Sequence, residues 1–203
     1  MITKERYYKG LTYADYRALV TAEFEKGRVT GHDQTESRLG YTKLNLHRMD
    51  RWDRTFTPDP ATMASIAGTE GRFHWLVLSE GWCGDASQNL PVIARLADAS
   101  PDVDLRILLR DDNLDVMDLF LTNGGRAIPK LIVLESNFKP LDQWGPRPQE
   151  IQDRVVENKR TGTLSSEEMN VEIHKWYAQN RGVALQKEIR DMMSRLVPAK
   201  DRI

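Results

Sequence analysis

Apolar positions in the N-terminal third of the chain recur at helical spacing. Tyr13, Tyr16, Val20 and Phe24 fall on one face of a helix over about residues 13–26. Thr12 and Asp15 precede and open it in the arrangement of a capping box. A polar stretch follows from Gly27 to Gly40. Tyr41, Leu44, Met49, Trp52 and Phe56 then form a second amphipathic pattern. Its other face carries Arg48, Asp50, Arg51, Asp53 and Arg54, and the alternating signs read as a solvated face with paired charges rather than a basic recognition helix. Pro58-Asp59-Pro60 ends that element, and a short helix is expected around Ala61–Ile66.

The character changes at Phe73. Phe73 to Leu78 is a nearly continuous apolar run, which reads as a strand buried on both faces. After Gly81-Trp82-Cys83-Gly84 a helical pattern begins with Leu90, Val92, Ile93, Leu96 and Ala97. Leu105–Leu109 is a second strand, Asp111 to Leu121 a helix stopped by Asn123-Gly124-Gly125, and Leu131–Leu134 a third strand. Phe138 to Trp144 is read as a fourth, closing a hairpin over Glu135–Asn137. This order predicts an α/β fold: a mixed sheet with helices on its faces. Two further helices follow. One is opened by Ser165 and Glu168 as a capping box, with Leu164 and Met169 as its hydrophobic staple, and runs to about Asn180. The other spans roughly Ala184–Leu196 and points Leu185, Ile189, Met192 and Leu196 inward.

Composition narrows the function classes. The 203 residues carry 29 Lys and Arg against 30 Asp and Glu, a net charge of −1, with a pI near 6.4. A general nucleic-acid or anionic-membrane role therefore has no electrostatic support. No apolar run approaches a membrane span, and residues 1–8 lack the apolar stretch of a signal peptide. Cys83 stands alone, which excludes an intrachain disulfide and a multi-cysteine zinc site and fits a reducing, cytoplasmic location. His47, His74 and His174 are scattered over different elements, so no metal site is expected; His74, inside a strand, reads as a hydrogen-bonded core or face residue. Trp52 and Trp176 lie on apolar helix faces and read as core rather than as a stacking surface.

Cys83 sits where a buried strand hands over to a helix. The unsatisfied N–H groups and positive dipole end of that helix would favour its thiolate. At this turn the chain resembles the thioredoxin superfamily. Trp82-Cys83-Gly84 matches the opening of the thioredoxin active-site motif. Pro91, eight residues after Cys83, matches the proline that kinks the motif helix. Arg126-Ala127-Ile128-Pro129 matches the segment with the cis-proline, and Gly145 the glycine that ends the last strand. Trp82 to Gln88 looks like a bacterial branch of the family. The resemblance covers about residues 70–158 and implies a thioredoxin-like domain there, with helical extensions over 1–69 and 159–203 that pack on the core.

The departures bear on function. Cys83-Gly84-Asp85-Ala86 has alanine where the resolving cysteine would stand, so a mixed disulfide cannot be resolved within the chain. The buried strand carboxylate of thioredoxins falls at about Val77, and Glu80 is nearby on the turn. Asp85 disfavours a second negative charge on Cys83, or caps the helix by accepting N–H bonds. Arg126 should come near the turn. There it pairs with Asp85 or Asp111, or holds a carboxylate or a glutathione-like ligand. Two functions remain. In one, Cys83 is the nucleophile of a monothiol redox protein acting on protein thiols or disulfides, with glutathione as a co-substrate and no bound cofactor. In the other, the protein is a redox-inactive binding module whose cis-proline groove holds a peptide. Trp82, Gly84, Asp85, Arg126, Ile128 and Pro129 form the substrate-binding surface in both.

Overall fold

The computed structural model describes residues 2–68 and 72–196. Four short or amphipathic helices come first: α1 (Lys4–Tyr8), α2 (Tyr13–Glu25), α3 (Glu36–Thr55) and α4 (Pro60–Ala67). Then follow β1 (Phe73–Ser79), α5 (Gly84–Ala97), β2 (Val103–Leu109), α6 (Leu114–Met117), β3 (Lys130–Leu134) and β4 (Pro140–Trp144). The chain closes with α7 (Gln149–Thr161), α8 (Ser166–Asn180) and α9 (Val183–Leu196). No helix among the described residues is long and apolar enough to cross a membrane.

The sheet is mixed and runs β2-β1-β3-β4. β1 pairs in parallel with β2 through the α5 crossover and antiparallel with β3, and β3 pairs antiparallel with β4. Every residue of β1 and β3 is buried, as a central strand with covered faces requires. The two-residue period of β1 divides the core. Trp75 and Val77 join Val20, Met49, Trp52, Leu90, Ile93, Leu185 and Ile189 on one face. Leu76 and Leu78 join Tyr7, Cys83, Met117, Ile128 and Phe138 on the other. Helices from both ends of the chain thus share the sheet's core. A third cluster lies between α7 and α8, built from Ile151, Val155, Met169, Ile173, Trp176 and Tyr177.

Several elements depart from the sequence reading. α3 starts at Glu36, capped by Thr35, so the polar stretch is shorter than expected and Gly40 is helical. Its buried stripe is Thr42, Asn45, Met49 and Trp52, while Tyr41 and Leu44 are 43% and 51% exposed. The stripe is displaced because Asn45 is needed beneath the cysteine turn, where its Nδ2 donates to the Gly81 carbonyl at 3.0 Å. The helix expected over residues 111–121 shrinks to Leu114–Met117, and Leu119 and Leu121 are exposed. Its first residues are engaged elsewhere: the Asp111 N–H donates to Glu80 Oε1 at 2.9 Å, and the Asp111 carboxylate accepts from Arg110. β4 starts at Pro140, because Phe138 sits in the turn at φ 68°. α1 and α7 have no counterpart among the elements the sequence predicts; α7 buries only Ile151 and Val155, too sparse an apolar pattern to stand out. His74 is buried and lies against Phe138, with ring centroids 4.5 Å apart and planes 6° apart. It is a core residue as expected, but among the described residues its Nδ1 has no hydrogen-bond partner.

Candidate functional site

β1 delivers the chain into a tight turn whose backbone is held from three sides. The Gly81 N–H donates to Thr30 Oγ1 at 2.8 Å, its carbonyl accepts from Asn45, and the Cys83 N–H donates to the Glu80 carbonyl at 3.1 Å. Cys83 is the N-cap of α5, its Sγ accepting the Ala86 N–H at 3.4 Å. Asp85 was a candidate for that capping role and does not fill it.

Cys83 is only 7% exposed. Its thiol donates to the Ile128 carbonyl at 3.2 Å. Burial, and after it the negative charge of Asp85, push the thiol up to about 12; the N–H groups of the first helical turn and Arg147 pull the other way without prevailing. Val77, at the position of the family's buried carboxylate, is an apolar core residue on the opposite face of β1. Glu80 is fully buried, and burial raises its carboxyl above the usual range.

The Ile128–Pro129 bond is cis, and so is Gly145–Pro146, which nothing in the sequence singled out. Gly145 adopts φ +114°, and a Cβ there would lie 2.2 Å from the Pro129 carbonyl oxygen, so the two proline turns can meet only at a glycine. At the cis-proline turn the Ile128 carbonyl accepts the Cys83 thiol.

The polar run after Cys83 holds helices against the turn. Asp85 forms an ion pair with Arg147, with contacts at 2.6 and 2.9 Å, and accepts the Tyr177 hydroxyl at 3.0 Å. Asn89 Nδ2 donates to the same hydroxyl oxygen at 2.8 Å. Gln88 accepts the Trp52 indole N–H at 2.7 Å and lies 3.4 Å from His174 Nδ1. α8 is thereby seated directly on the turn: a Cβ at Gly84 would lie 3.1 Å from His174 Cε1. Desolvation there, helped by Arg48 and Arg147, holds His174 down at about 4, a neutral imidazole.

Arg126 does not pair with Asp85 or Asp111. Its Nε and Nη2 donate to Asp118 at 2.6 and 2.8 Å. It does reach the turn, as one wall of a cleft of about 380 Å³ that also exposes Trp82, Cys83, Gly84, Asp85 and Ile128. Arg38, Arg110, Arg147 and His174 also line it, and the sequence does not single them out for this site. They come from α3, the end of β2, the segment after β4, and α8, so no local motif announces them. Among the described residues no cluster of histidine, cysteine and carboxylate side chains could hold a metal ion.

A family model described as Thioredoxin matches residues 31–163. A crystallised protein of unknown function from Pseudomonas aeruginosa superposes with a TM-score of 0.60 at 19% identity, over 96% of each chain. A crystallised HIV epitope-scaffold does so with a TM-score of 0.58 at 19% identity, over 95% of this chain and 96% of its own. At that identity the likeness is one of fold. None of the curated proteins matches this chain.

Proposed function

The chain belongs to the thioredoxin family, and we propose that its cysteine-side cleft binds a ligand and does not turn over disulfides. The observation that carries this reading is the state of Cys83. Its thiol is buried, donates to the Ile128 carbonyl, and is pushed up to about 12. Thiol–disulfide exchange runs through the thiolate, which such a group does not supply near neutral pH. Ala86 offers no second sulfur. The polar residues that follow Cys83 are engaged in seating α8 and α3.

One observation favours monothiol exchange with protein thiols or disulfides, with glutathione as co-substrate. Cys83 lines the cleft at the N-terminus of α5, within reach of a ligand placed there. Intact-mass analysis after exposure to oxidised glutathione and to hydrogen peroxide separates the two. The binding reading expects the folded protein to stay unmodified while the urea-unfolded chain is modified readily. A stoichiometric glutathione adduct on the folded protein, formed as fast as on the unfolded chain, would establish monothiol chemistry instead.

A further inference from the structure

We propose that the cleft beside Cys83 is a binding site for a small molecule carrying a carboxylate or phosphate group, held by Arg38 and Arg126, with Arg110 adding positive charge beside them. The inference rests on the reading of this cleft as a ligand site and adds the chemistry of the ligand. The chain as a whole is nearly neutral. The cleft is not: its lining includes four arginines, and its one carboxylate, Asp85, is closed by Arg147. The other three arginines come from separate parts of the chain. Like charges brought together from distant positions repel, so their convergence needs compensation.

That compensation comes from behind the cleft. Arg38 Nε donates to Asp33 at 3.1 Å. Arg110 Nε and Nη2 donate to Asp111 at 2.8 and 2.6 Å, and Arg126 is held by Asp118 in the same way. None of these three carboxylates lines the cleft. Each anchor engages the Nε edge of its guanidinium. Among the described residues, both Nη atoms of Arg38 and the Nη1 of Arg126 have no hydrogen-bond partner, whereas the Nη1 of Arg110 donates to the Arg126 carbonyl at 3.3 Å. The Trp82 ring lies against two of these arginines, with the guanidinium carbons of Arg38 and Arg110 at 3.4 and 4.9 Å from its centroid. The free Nη edge of Arg38 matches the planar oxygens of a carboxylate or phosphate, and the Nη1 of Arg126 adds a further donor. The N-terminus of α5 opens onto the same space through Gly84 and adds a partial positive charge.

Size and walls argue for a small molecule. The volume of about 380 Å³ falls at the lower end of ligand sites, roughly 300–1,000 Å³. Asn170, Ile173 and His174 of α8 form the far wall, and Cys83 already engages the Ile128 carbonyl on the near side.

The test is a titration of ¹⁵N-labelled full-length protein with inorganic phosphate and, separately, with succinate, following the Trp82 indole N–H resonance. Sodium chloride at matched ionic strength is the control. We expect saturable one-to-one binding of at least one probe, and the stronger of the two identifies the headgroup. Arg126→Gln and Arg38→Gln should each weaken it about tenfold without changing the circular dichroism, while Arg160→Gln, on the exposed face of α7, should not. No saturable shift with either probe, or binding unaltered in both cleft variants, overturns the inference. The same titration on Cys83→Ser separates it from the reading it rests on. If that variant binds the anion while the folded wild type rapidly forms a glutathione adduct, the anion site stands and the non-redox reading falls. If neither probe binds and Cys83 stays inert, the anion inference falls alone.

Discussion

Asp85–Arg147 and Asp118–Arg126 are the same two residue types at two edges of one cleft. In the first, the carboxylate and guanidinium side chains are 11% and 20% exposed; in the second they are 46% and 48% exposed. The first joins the start of α5 to the segment after β4 and carries the Tyr177 hydroxyl as a third member. The second spans eight residues of one connection. The geometry of the two forks is nearly identical, so the difference in consequence comes from solvent. A charge withdrawn from water costs several kcal/mol unless it is paired, whereas an exposed pair is worth about 0–1 kcal/mol. The buried pair is therefore a fastener that holds α7 and α8 against the cysteine turn. The exposed pair only aims a guanidinium into the cleft.

The sharpest way to break this contrast is Arg147→Met, which leaves Asp85 buried without its cation. We expect a loss of about 3–5 kcal/mol in chemical denaturation at neutral pH. Burial already holds the Asp85 carboxyl above its usual range against the pull of Arg147. The folded protein therefore takes up that proton more readily than the unfolded chain. The contribution is most favourable below the unfolded value of about 4 and is given up as pH rises. In Arg147→Met the deficit should accordingly shrink towards acid pH. A loss under 1 kcal/mol would mean that the pair is not a fastener.

His174, on the same buried side, comes next. Its folded value of about 4 lies below the unfolded value of about 6.5, so the unfolded chain takes up a proton that the folded one resists. Stability should be at its full value above pH 6.5 and fall as pH drops towards 4. The imidazole is partly solvent-facing, which limits the loss to about 2 kcal/mol. His174→Gln should flatten the denaturation midpoint across that window; an unchanged slope would assign the acid sensitivity to another group.

Asp85→Asn sharpens the comparison at the thiol. It removes the anion that raises Cys83 and leaves Arg147 as an uncompensated cation beside it. Alkylation by iodoacetamide near neutral pH should speed up about tenfold, the equivalent of one unit in the thiol's acidity. An unchanged rate would show that burial alone silences Cys83. The smallest effect is expected for Arg126→Gln, under about 0.5 kcal/mol in stability. A loss comparable to that of Arg147→Met would erase the distinction between the two pairs.

Much of the scaffold could be read from local patterns. The β1 run, the Trp82-Cys83-Gly84 turn, the capping box at Ser165 and the Ile128–Pro129 segment all stand in the structure where the residues placed them. Each depends on neighbours a few positions away. The α3 face was misplaced because a buried Asn45 and Thr42 look polar in sequence, and only the turn above Asn45 explains its burial. The helix over 111–121 failed because Asp111 answers to Glu80 and Arg110 instead of continuing a helical pattern.

The fold family and the missing chemistry are legible in the residues alone: one cysteine, alanine at the second position of the pair, valine where a buried carboxylate would stand. What it left open was the partner of each charge. Asp85, Arg126, Asp111 and Asp118 admit several pairings by type and spacing, and the choice fell to packing. α7 and α8 bring Arg147, Tyr177 and His174 onto the cysteine turn, and α3 and β2 bring Arg38 and Arg110 over Trp82. Ion pairs and thiol acidity depend on distance and on exclusion of water. Both are properties of surfaces brought together from remote parts of the chain, so it is the packing of those parts that makes Cys83 a buried thiol and not an exposed nucleophile.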